Sequence, residues 1–579
     1  MIKEVFVIFK THLDIGYTDY SENVIKKYLN GFIPSAIETG YALKGTDTPF
    51  IWTVGSWLIW EGLKNDPDKK LENAIKDGVI TWHGLPFTSH TELMSEKLFN
   101  YGLSLSKKLD ERFGKTTIGS KMTDVPGHTI GMVPLMAKAG IKFLHLGVNT
   151  AAPNPEVPSV FKWRCEDHEI IVMYENGYGN TEEFEDFAIC FGHTFDNHGA
   201  QSVNEIEKLY AKLRKKYPGA KIKAATLDDV AEKILTLKNL PVIYNEIGDT
   251  WIHGAGTDPK KVGMYREALR YIDEHDIEDK DLNDNLLLIP EHTWGMCQKT
   301  YFKNTDSWYN EDFKTTEGTK ERSYFEKSWE EQRSYVKKAE KVLGINVDYT
   351  PQIPDLCGYE KTQLCEPDFS FSWQLFSTAD YKRYMEKYLT LTPENVGWAI
   401  WDYLKLGLPT YKGCIFEAKP TACYQKDDTL LYKLEFDSDL TKKYGLPYAW
   451  VKTDGKNFEL TWYNKKASRL PQSFWLKFKG YDENWKVSKM GQWIDPEKVI
   501  GSPLIMATDK GVKNNRVQIE TQDAVLVAPF GRRLLDFEKF PHGQDLYFNL
   551  YNNIWNTNFP MWYSDDTRFR FKIKKDSSL

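Results

Sequence analysis

Two residues able to bind a metal ion, His12 and Asp14, follow the apolar run 4-EVFVIF, which predicts a β-strand. If the extended geometry continues to them, both side chains point to the same side of the chain. An imidazole nitrogen and a carboxylate oxygen would then converge on one point. Taken alone, a His-x-Asp pair more often belongs to a hydrogen-bonded loop, so further ligands are needed to indicate a metal site.

Two later segments contain residues of the required type. Asp124 lies in 122-MTDVPGHT, at the end of another predicted strand and before a helical pattern, where a helix-capping role is its structural alternative. His292 follows the apolar run 286-LLLIP beside Trp294, and a hydrogen-bonded structural histidine is its alternative. In an α/β barrel the carboxyl ends of the strands carry the active-site loops, and the strand-end positions of Asp14 and Asp124 fit that arrangement.

The ordered set resembles the α-mannosidases of glycoside hydrolase family 38 and their relatives, over most of the chain. His12 and Asp14 match the family's amino-terminal His-x-Asp pair, and TDVPGHT is similar to its Asp-Pro-Phe-Gly-His-Ser stretch, with Asp124 at the nucleophile position. His292 would match the later histidine ligand, although the usual His-Asp-Ala neighbours are absent. The resemblance implies a retaining reaction and one metal ion per chain, bound by His12, Asp14, Asp124 and His292. Two nitrogens and two carboxylates suit Zn2+, and cobalt or manganese would accept the same set.

The acid/base carboxylate is predicted within 240-LPVIYNEIGDTWIHGAGTDPKK, whose GDTW and HGAGT pieces resemble the family stretch that carries it. Asp249 is the first candidate, with Asp258 and Glu246 behind it, and a turn residue is the structural alternative. Trp251 beside Asp249 would supply the apolar cover that raises the pKa of a general acid.

Further side chains are predicted to contact the substrate, because aromatic faces suit sugar rings and polar tips suit hydroxyls. Structural hydrogen bonding is the alternative for the histidines among them. The predicted substrate-binding residues are Trp57, His83, His90, Glu92, Asp196, Trp251, His253 and Trp294.

The elements that must position these residues fall into three segments of the 579-residue chain, a length that itself predicts several domains. Residues 1–255 alternate strand runs with helical patterns, which predicts a (β/α)7-type barrel as the catalytic domain. Residues 256–404 are predicted to form a helical bundle that contributes a metal ligand. Residues 405–579 contain short alternating runs between turn residues and predict a β-sandwich domain. The fold class is therefore α/β plus all-α plus all-β.

Composition excludes several classes of protein. The formal net charge of -7, without a long basic run, argues against nucleic-acid binding, and no apolar run approaches the ~20 residues that cross a bilayer. Seven cysteines without CxxC spacing indicate neither a disulfide framework nor a thiolate zinc site, and the start MIKEVFVIF does not read as a signal peptide. We expect a cytoplasmic protein, and a homo-oligomer is left open.

The leading hypothesis is a zinc-dependent retaining exo-glycoside hydrolase that acts on α-linked glycosides, mannosides or those of a related sugar. A metal-dependent carbohydrate deacetylase, or another C-N hydrolase, is the enzymatic alternative, since the same ligands can activate water. A carbohydrate-binding protein that kept the fold without the chemistry is the third reading.

Overall fold

The computed structural model describes residues 1–278, 282, 284–298, 302–346, 349–480, 484–501, 505–529, 531–532, 534 and 545–575. No helix in these ranges is long and apolar enough to cross a membrane.

Two mainly parallel sheets form the amino-terminal segment. Their strands are β1 (Glu4–His12), β2 (Trp52–Gly55), β3 (Ile80–His83), β4 (Gly119–Asp124), β5 (Phe143–Val148), β6 (Val160–Cys165), β7 (His168–Asn176), β8 (Thr181–Glu183), β9 (Phe187–Asp196), β10 (Lys221–Ala224) and β11 (Val242–Ile243). One sheet has the order β3-β2-β1-β9-β8 with β10 also paired to β1, and the other has the order β11-β6-β7-β5-β4. The Gly84 N–H donates to the Gly119 carbonyl at 3.0 Å, which joins the loop after β3 to the start of β4.

Parallel pairing brings the carboxyl ends of β1, β2, β3 and β9 to one edge of the first sheet. Apolar residues of these strands, such as Val5, Val7 and Trp52, share one buried core with Leu144 of β5 and with the helices that connect the strands. Burial of this core holds the strand ends in place, and the loops that follow the strands are therefore positioned by a rigid support.

The helices follow the sequence signals closely. Gly140 and Gly344 come after the helices Met132–Lys138 and Lys320–Leu343 with φ of +80° and +70°, the left-handed conformation of a C-terminal glycine. The α-helices are Ser21–Lys27, Ile33–Leu43, Ser56–Lys64, Lys70–Lys76, Glu96–Phe113, Met132–Lys138, Val203–Lys216, Leu227–Ile234, Pro259–Glu274, Asp284–Leu287, Asn310–Lys314, Lys320–Leu343, Thr378–Tyr388, Val396–Tyr403 and Asp439–Tyr444.

Two antiparallel sheets dominate the carboxyl-terminal part. Their strands are β12 (Glu360–Thr362), β13 (Phe369–Leu375), β14 (Cys414–Glu417), β15 (Lys419–Lys426), β16 (Thr429–Glu435), β17 (Tyr448–Thr453), β18 (Asn457–Trp462), β19 (Gln472–Phe478), β20 (Lys486–Lys489), β21 (Gln492–Ile494), β22 (Met506–Ala507), β23 (Gly511–Lys513), β24 (Val517–Thr521), β25 (Leu526–Ala528), β26 (Leu546–Asn552) and β27 (Thr567–Lys575). The orders are β12-β15-β16-β17-β18-β27-β24-β23-β20-β21 and β14-β13-β19-β26-β25-β22. Side chains of both sheets, including Phe371, Trp462 and Phe571, share one buried core.

The predicted combination of a parallel α/β part with large antiparallel sheets is confirmed, and the barrel, the helical bundle and the domain boundaries at 255 and 404 stay predictions. The structure also pairs β13, from within the predicted helical segment, with β19 in a carboxyl-terminal sheet. The sequence explains this pairing. Phe369, Phe371, Trp373 and Leu375 occupy every second position of β13, so their side chains lie on one face of the strand and pack in the sheet core.

Candidate metal centre

Four side chains from three distant parts of the chain converge in the interior. One potential ligand atom from each of His12, Asp14, Asp124 and His292 lies within 4.8 Å of every other. Asp14 Oδ1 is 3.2 Å from His12 Nε2 and 3.0 Å from His292 Nε2, and the two Nε2 atoms are 3.3 Å apart. Asp124 Oδ2 is 3.7 Å from His12 Nε2 and 3.5 Å from His292 Nε2.

These separations fit a single divalent cation. Ligand bonds of ~2.0–2.2 Å to a tetrahedral ion place the ligand atoms roughly 3.3–3.6 Å apart, close to the spacing observed. The second carboxylate oxygen of Asp14, Oδ2, is buried and has no hydrogen-bond partner among the residues that the structure describes, and a cation would supply that partner. Burial lowers the pKa of His12, but the charges and hydrogen bonds of Asp14 and Asp124 together outweigh it and raise the pKa to about 9. The negative field that raises this pKa also favours a bound cation.

Local pairing explains how each ligand reaches the centre. His12 ends β1, and the side chain of Asn197 accepts from the Asp14 N–H at 3.1 Å and donates to the Asp14 carbonyl at 3.0 Å. Asp124 ends β4 with φ of +81°, an uncommon conformation for a residue with a side chain. The His292 N–H donates to the Thr88 carbonyl at 3.3 Å, so the segment before His292 lies along the loop after β3.

The other ring nitrogen of each histidine has its own partner. His12 Nδ1 is 2.7 Å from Thr123 Oγ1, and His292 Nδ1 is 2.7 Å from Glu291 Oε1. Such partners fix the tautomer and the ring orientation, so that Nε2 faces the metal position. Thr123 and Glu291 were not predicted from the sequence. Each precedes a predicted ligand directly, and this position is the sequence feature that could have identified them.

Asp124 has a second set of contacts in addition to those with the two histidines. Its Oδ1 accepts hydrogen bonds from Asn149 Nδ2 at 2.9 Å and from the Tyr178 hydroxyl at 2.7 Å. Burial alone would raise the pKa of Asp124, but the hydrogen bonds and charges of His12 and His292 lower it below its usual value. The side chain is 11% exposed, so one edge of this carboxylate can be reached from outside.

The loop after Asp124 packs directly on the segment that contains Asp249. The His128 N–H donates to the Ile247 carbonyl at 2.8 Å, and a Cβ on Gly127 would lie 2.0 Å from the Gly248 carbonyl oxygen. Only glycine permits this approach of two backbones. The glycine of the TDVPGHT motif therefore sets the distance between the two loops.

Asp249 is fully buried and both of its oxygens are engaged. Its Oδ2 is 2.7 Å from His90 Nδ1, and its Oδ1 accepts from the Trp251 N–H at 2.9 Å. The remaining candidates for the acid have structural contacts. Asp258 caps the helix Pro259–Glu274 and binds Arg333, with contacts at 2.8 and 2.9 Å.

Glu246 and Glu92 flank one buried lysine from the carboxyl-terminal part of the chain. Lys489 Nζ is 2.8 Å from Glu92 Oε2 and also contacts Glu246, and Glu92 accepts from the Ala507 N–H at 2.9 Å. Burial raises the pKa of Glu92 to about 7 although Lys489 opposes it. These contacts join the two parts of the chain and stabilise the segments of His90 and Asp249.

Asp196, by contrast, is only partly buried at the carboxyl end of β9. Its Cα pairs with that of His12 in the register of the parallel strands, which places it beside the centre. Burial and the nearby charge of Asp14 raise its pKa to about 7. Neither β9 nor Asn197, the residue that follows it, was predicted from the sequence.

Among the predicted substrate residues, the structure brings Trp251, His253 and Trp294 into one aromatic region. Trp555 connects two of them, with ring centroids 5.4 Å from Trp251 and 4.6 Å from His253, and Trp294 shares the same buried cluster. The indole nitrogens of Trp251 and Trp294 are buried and have no hydrogen-bond partner within the described part of the chain. Burial lowers the pKa of His253 to about 3, so the imidazole is neutral.

Trp57 and His83 lie elsewhere in the amino-terminal segment. Trp57 packs edge-on against Phe87 at 5.5 Å in the apolar core. His83 Nδ1 accepts from the Leu85 N–H at 3.3 Å, and the ring lines an interior cavity with Lys10 and Lys121. Contact of these two side chains with substrate stays a prediction.

The fold of this chain is similar to that of two solved structures. The chain is similar to the crystal structure of an α-mannosidase from Enterococcus faecalis V583, with a TM-score of 0.58 and 10% identity over 99% of this chain and 87% of that one. A protein in glycosyl hydrolase family 38 from Enterococcus faecalis gives a TM-score of 0.52 and 9% identity over 100% and 86% of the two chains. The resemblance to this family is thereby confirmed at the level of the fold.

Comparison by sequence matches a smaller part of the chain than comparison by structure. A family model described as a domain of unknown function, DUF5054, matches residues 255–353, which include His292. The search of curated proteins found no match.

Proposed function

We propose that the chain is a metal-dependent retaining glycoside hydrolase that acts on the terminal sugar of α-linked glycosides. The observation that carries the proposal is the convergence of His12, Asp14, Asp124 and His292, with His12 and Asp124 each ending a strand, in a fold similar to that of an α-mannosidase. The parallel strands would then form the predicted barrel, with the reaction at their carboxyl ends.

The donor set supports zinc, with one ion held by these four residues. Such an ion, when bound, supplies a Lewis acid next to the carboxylates and offsets their charge. Thr123 and Glu291 orient the two imidazoles, and Asn197 holds the backbone of Asp14.

Asp124 is the proposed nucleophile. Asn149 and Tyr178 donate to its Oδ1 and keep the carboxylate ionised and oriented. In the first step a carboxylate oxygen of Asp124 forms a bond to the anomeric carbon, the glycosidic C–O bond breaks, and the acid protonates the departing oxygen. In the second step the carboxylate that served as the acid, now a base, takes a proton from water. The water attacks the glycosyl ester and releases Asp124.

Two carboxylates compete for the acid/base role. The sequence favours Asp249, but that carboxylate is fully buried and engaged by His90 and the Trp251 N–H. Asp196 is better supported, since it is partly exposed and lies beside His12 at a strand end. The aromatic side chains Trp251 and Trp294 would then contact the sugar or its leaving group.

The function is tested with a panel of aryl α-glycosides and metal-loaded protein. We expect chromophore release that is lost with a chelator and in Asp124→Ala, and a product with retained anomeric configuration by NMR. Release of acetate from N-acetylated sugars without glycoside cleavage would indicate the deacetylase alternative. Sugar binding without turnover would indicate a binding protein.

The acid is identified by comparing Asp196→Asn with Asp249→Asn on two leaving groups. A dinitrophenyl leaving group departs without a proton, so loss of the acid should spare the first step for this substrate but slow it by about 10²–10⁴-fold for a poor leaving group. Azide, which needs no base, should restore turnover as a glycosyl azide. We expect this pattern for Asp196→Asn, and finding it only in Asp249→Asn would reverse the assignment.

A further inference from the structure

A second group of buried polar side chains lies on the strands that carry the metal ligands. Lys10 in β1 and Lys121 in β4 line a cavity of about 30 Å³ together with His83 and Thr123. Lys10 is 1% exposed and Lys121 is 6% exposed. Among the described residues Lys10 Nζ has no hydrogen-bond acceptor, and burial together with the nearby Lys121 lowers the pKa of Lys10, so its charged form is costly unless a counter-charge is present.

The neighbouring side chains do not balance this charge. Glu175 is the carboxylate that acts on both lysines, but it already contacts His145 and accepts from the Asn180 N–H at 3.3 Å. Burial also lowers the pKa of Lys121, to about 7, so the charged forms of both lysines lack a counter-charge of their own.

Aromatic rings give Lys10 only weak compensation. Its Nζ lies 5.8 Å from the ring centre of Tyr178 and 5.9 Å from that of Phe191. At the outer limit of cation–π contact, such rings offset a small part of the cost of burying an ammonium group.

We propose that this cavity binds one small monovalent inorganic anion, such as a halide, between the ammonium groups of Lys10 and Lys121. An anion there supplies Lys10 with its missing partner and brings the local charge to balance. The volume has room for a single small ion and is too small for a sugar or a nucleotide.

The site is connected to the candidate metal centre by hydrogen bonds. Lys121 Nζ donates to Thr123 Oγ1 at 3.2 Å, and the same oxygen is 2.7 Å from His12 Nδ1. An anion that holds Lys121 in place therefore also supports the partner that orients His12. The anion site itself rests on the two lysines and the cavity, and it does not depend on the proposed reaction.

Bromide provides a direct test, because it scatters anomalously and stands in for other halides. In crystals of the full chain grown in bromide, we expect an anomalous peak between the two lysine nitrogens, and none there in Lys10→Met. Lys10→Met keeps the length of the side chain and removes the charge. Bromide found at surface positions only in the parent protein, or a cavity peak that persists in Lys10→Met, would overturn the proposal.

Thermal unfolding gives a second readout without substrate. At constant ionic strength, replacing a large organic anion with chloride or bromide should raise the Tm of the parent protein by ~2–4 °C and then saturate. Lys10→Met should lose this response, and the exposed control Lys26→Met should keep it. An equal response in all three proteins would mean a general salt effect, and a carbon dioxide adduct on Lys121 by mass spectrometry would mean a carbamate in place of the anion. Either result would refute the proposal.

Discussion

Replacing Lys489 with methionine removes the ammonium group between two buried carboxylates. Lys489 is 1% exposed, 2.8 Å from Glu92 Oε2 and in contact with Glu246, so its loss leaves two acids without their shared cation. Breaking a buried ion pair in this way costs about 3–5 kcal/mol. Because the pKa of Glu92 is already about 7 in the intact protein, this acid can take up a proton near neutral pH at little further cost. We therefore expect the lower end of the range, about 3 kcal/mol, at pH 6.

The loss should grow above neutral pH. A carboxyl whose folded pKa lies above its unfolded value stabilises the fold at low pH, and this stability is lost as the pH rises through the folded pKa. Removing the attraction of Lys489 raises the folded pKa of Glu92 beyond about 7 and extends that window upward. Relative to the parent, the variant should lose up to about 1.4 kcal/mol more for each pH unit within the extension.

Hydrogen exchange at the Ala507 amide measures this effect locally. That N–H donates to Glu92 at 2.9 Å, so its exchange reports opening of the contact between the two parts of the chain. A local readout is preferable because a chain of 579 residues is not expected to unfold in one step. The control is Lys498→Met at a lysine whose side chain is 73% exposed, which should change stability by less than about 0.5 kcal/mol.

A Lys489→Met variant that loses less than about 1 kcal/mol would refute this reasoning about the buried ion pairs. A loss of stability in Lys489→Met that stays the same from pH 6 to pH 9 would also refute it. Either result would mean that water or another cation reaches the two carboxylates.

Further predictions concern the partners of the proposed metal ligands and the packing of the loop after Asp124 on the segment of Asp249. Glu291→Gln should weaken metal binding by about 10–100-fold, measured by competition with a chromogenic chelator, because Glu291 orients the imidazole of His292; unchanged affinity would contradict that role. Gly127→Ala should destabilise the protein by about 1–3 kcal/mol in urea unfolding, since its Cβ would lie 2.0 Å from the Gly248 carbonyl. Gly31→Ala, where a Cβ meets no atom within 4 Å, is the matched control, and equal midpoints for the two variants would count against the close approach.

The sequence predicted those strands and helices that are specified by residues close together in the chain. The apolar run 4-EVFVIF became β1, Asp124 lies at the end of β4 as predicted, and the helix Lys320–Leu343 is followed by Gly344 in the left-handed conformation. The ligand set came from ordered motifs at strand ends, and the structure brings those four side chains together.

Other features were missed for physical reasons. β9 was not predicted, because Gly192 and the polar end 193-HTFD interrupt its apolar run, although this strand carries Asp196. The alternation in β13 was present but lay between helical patterns. Contacts such as Asn197 with Asp14, or Lys489 with Glu246, join residues 183 and 243 positions apart and depend on how segments dock, which no local pattern encodes.

Metal stoichiometry tests the central claim most directly. The full chain, freed of metal with a chelator, is dialysed against zinc, and bound metal is measured by plasma mass spectrometry beside turnover of an aryl α-glycoside. We predict about one zinc per chain, with turnover rising in proportion to bound zinc, and loss of both in a variant carrying His12→Ala and His292→Ala. No bound metal in the parent chain, or equal binding in the double variant, would contradict the account.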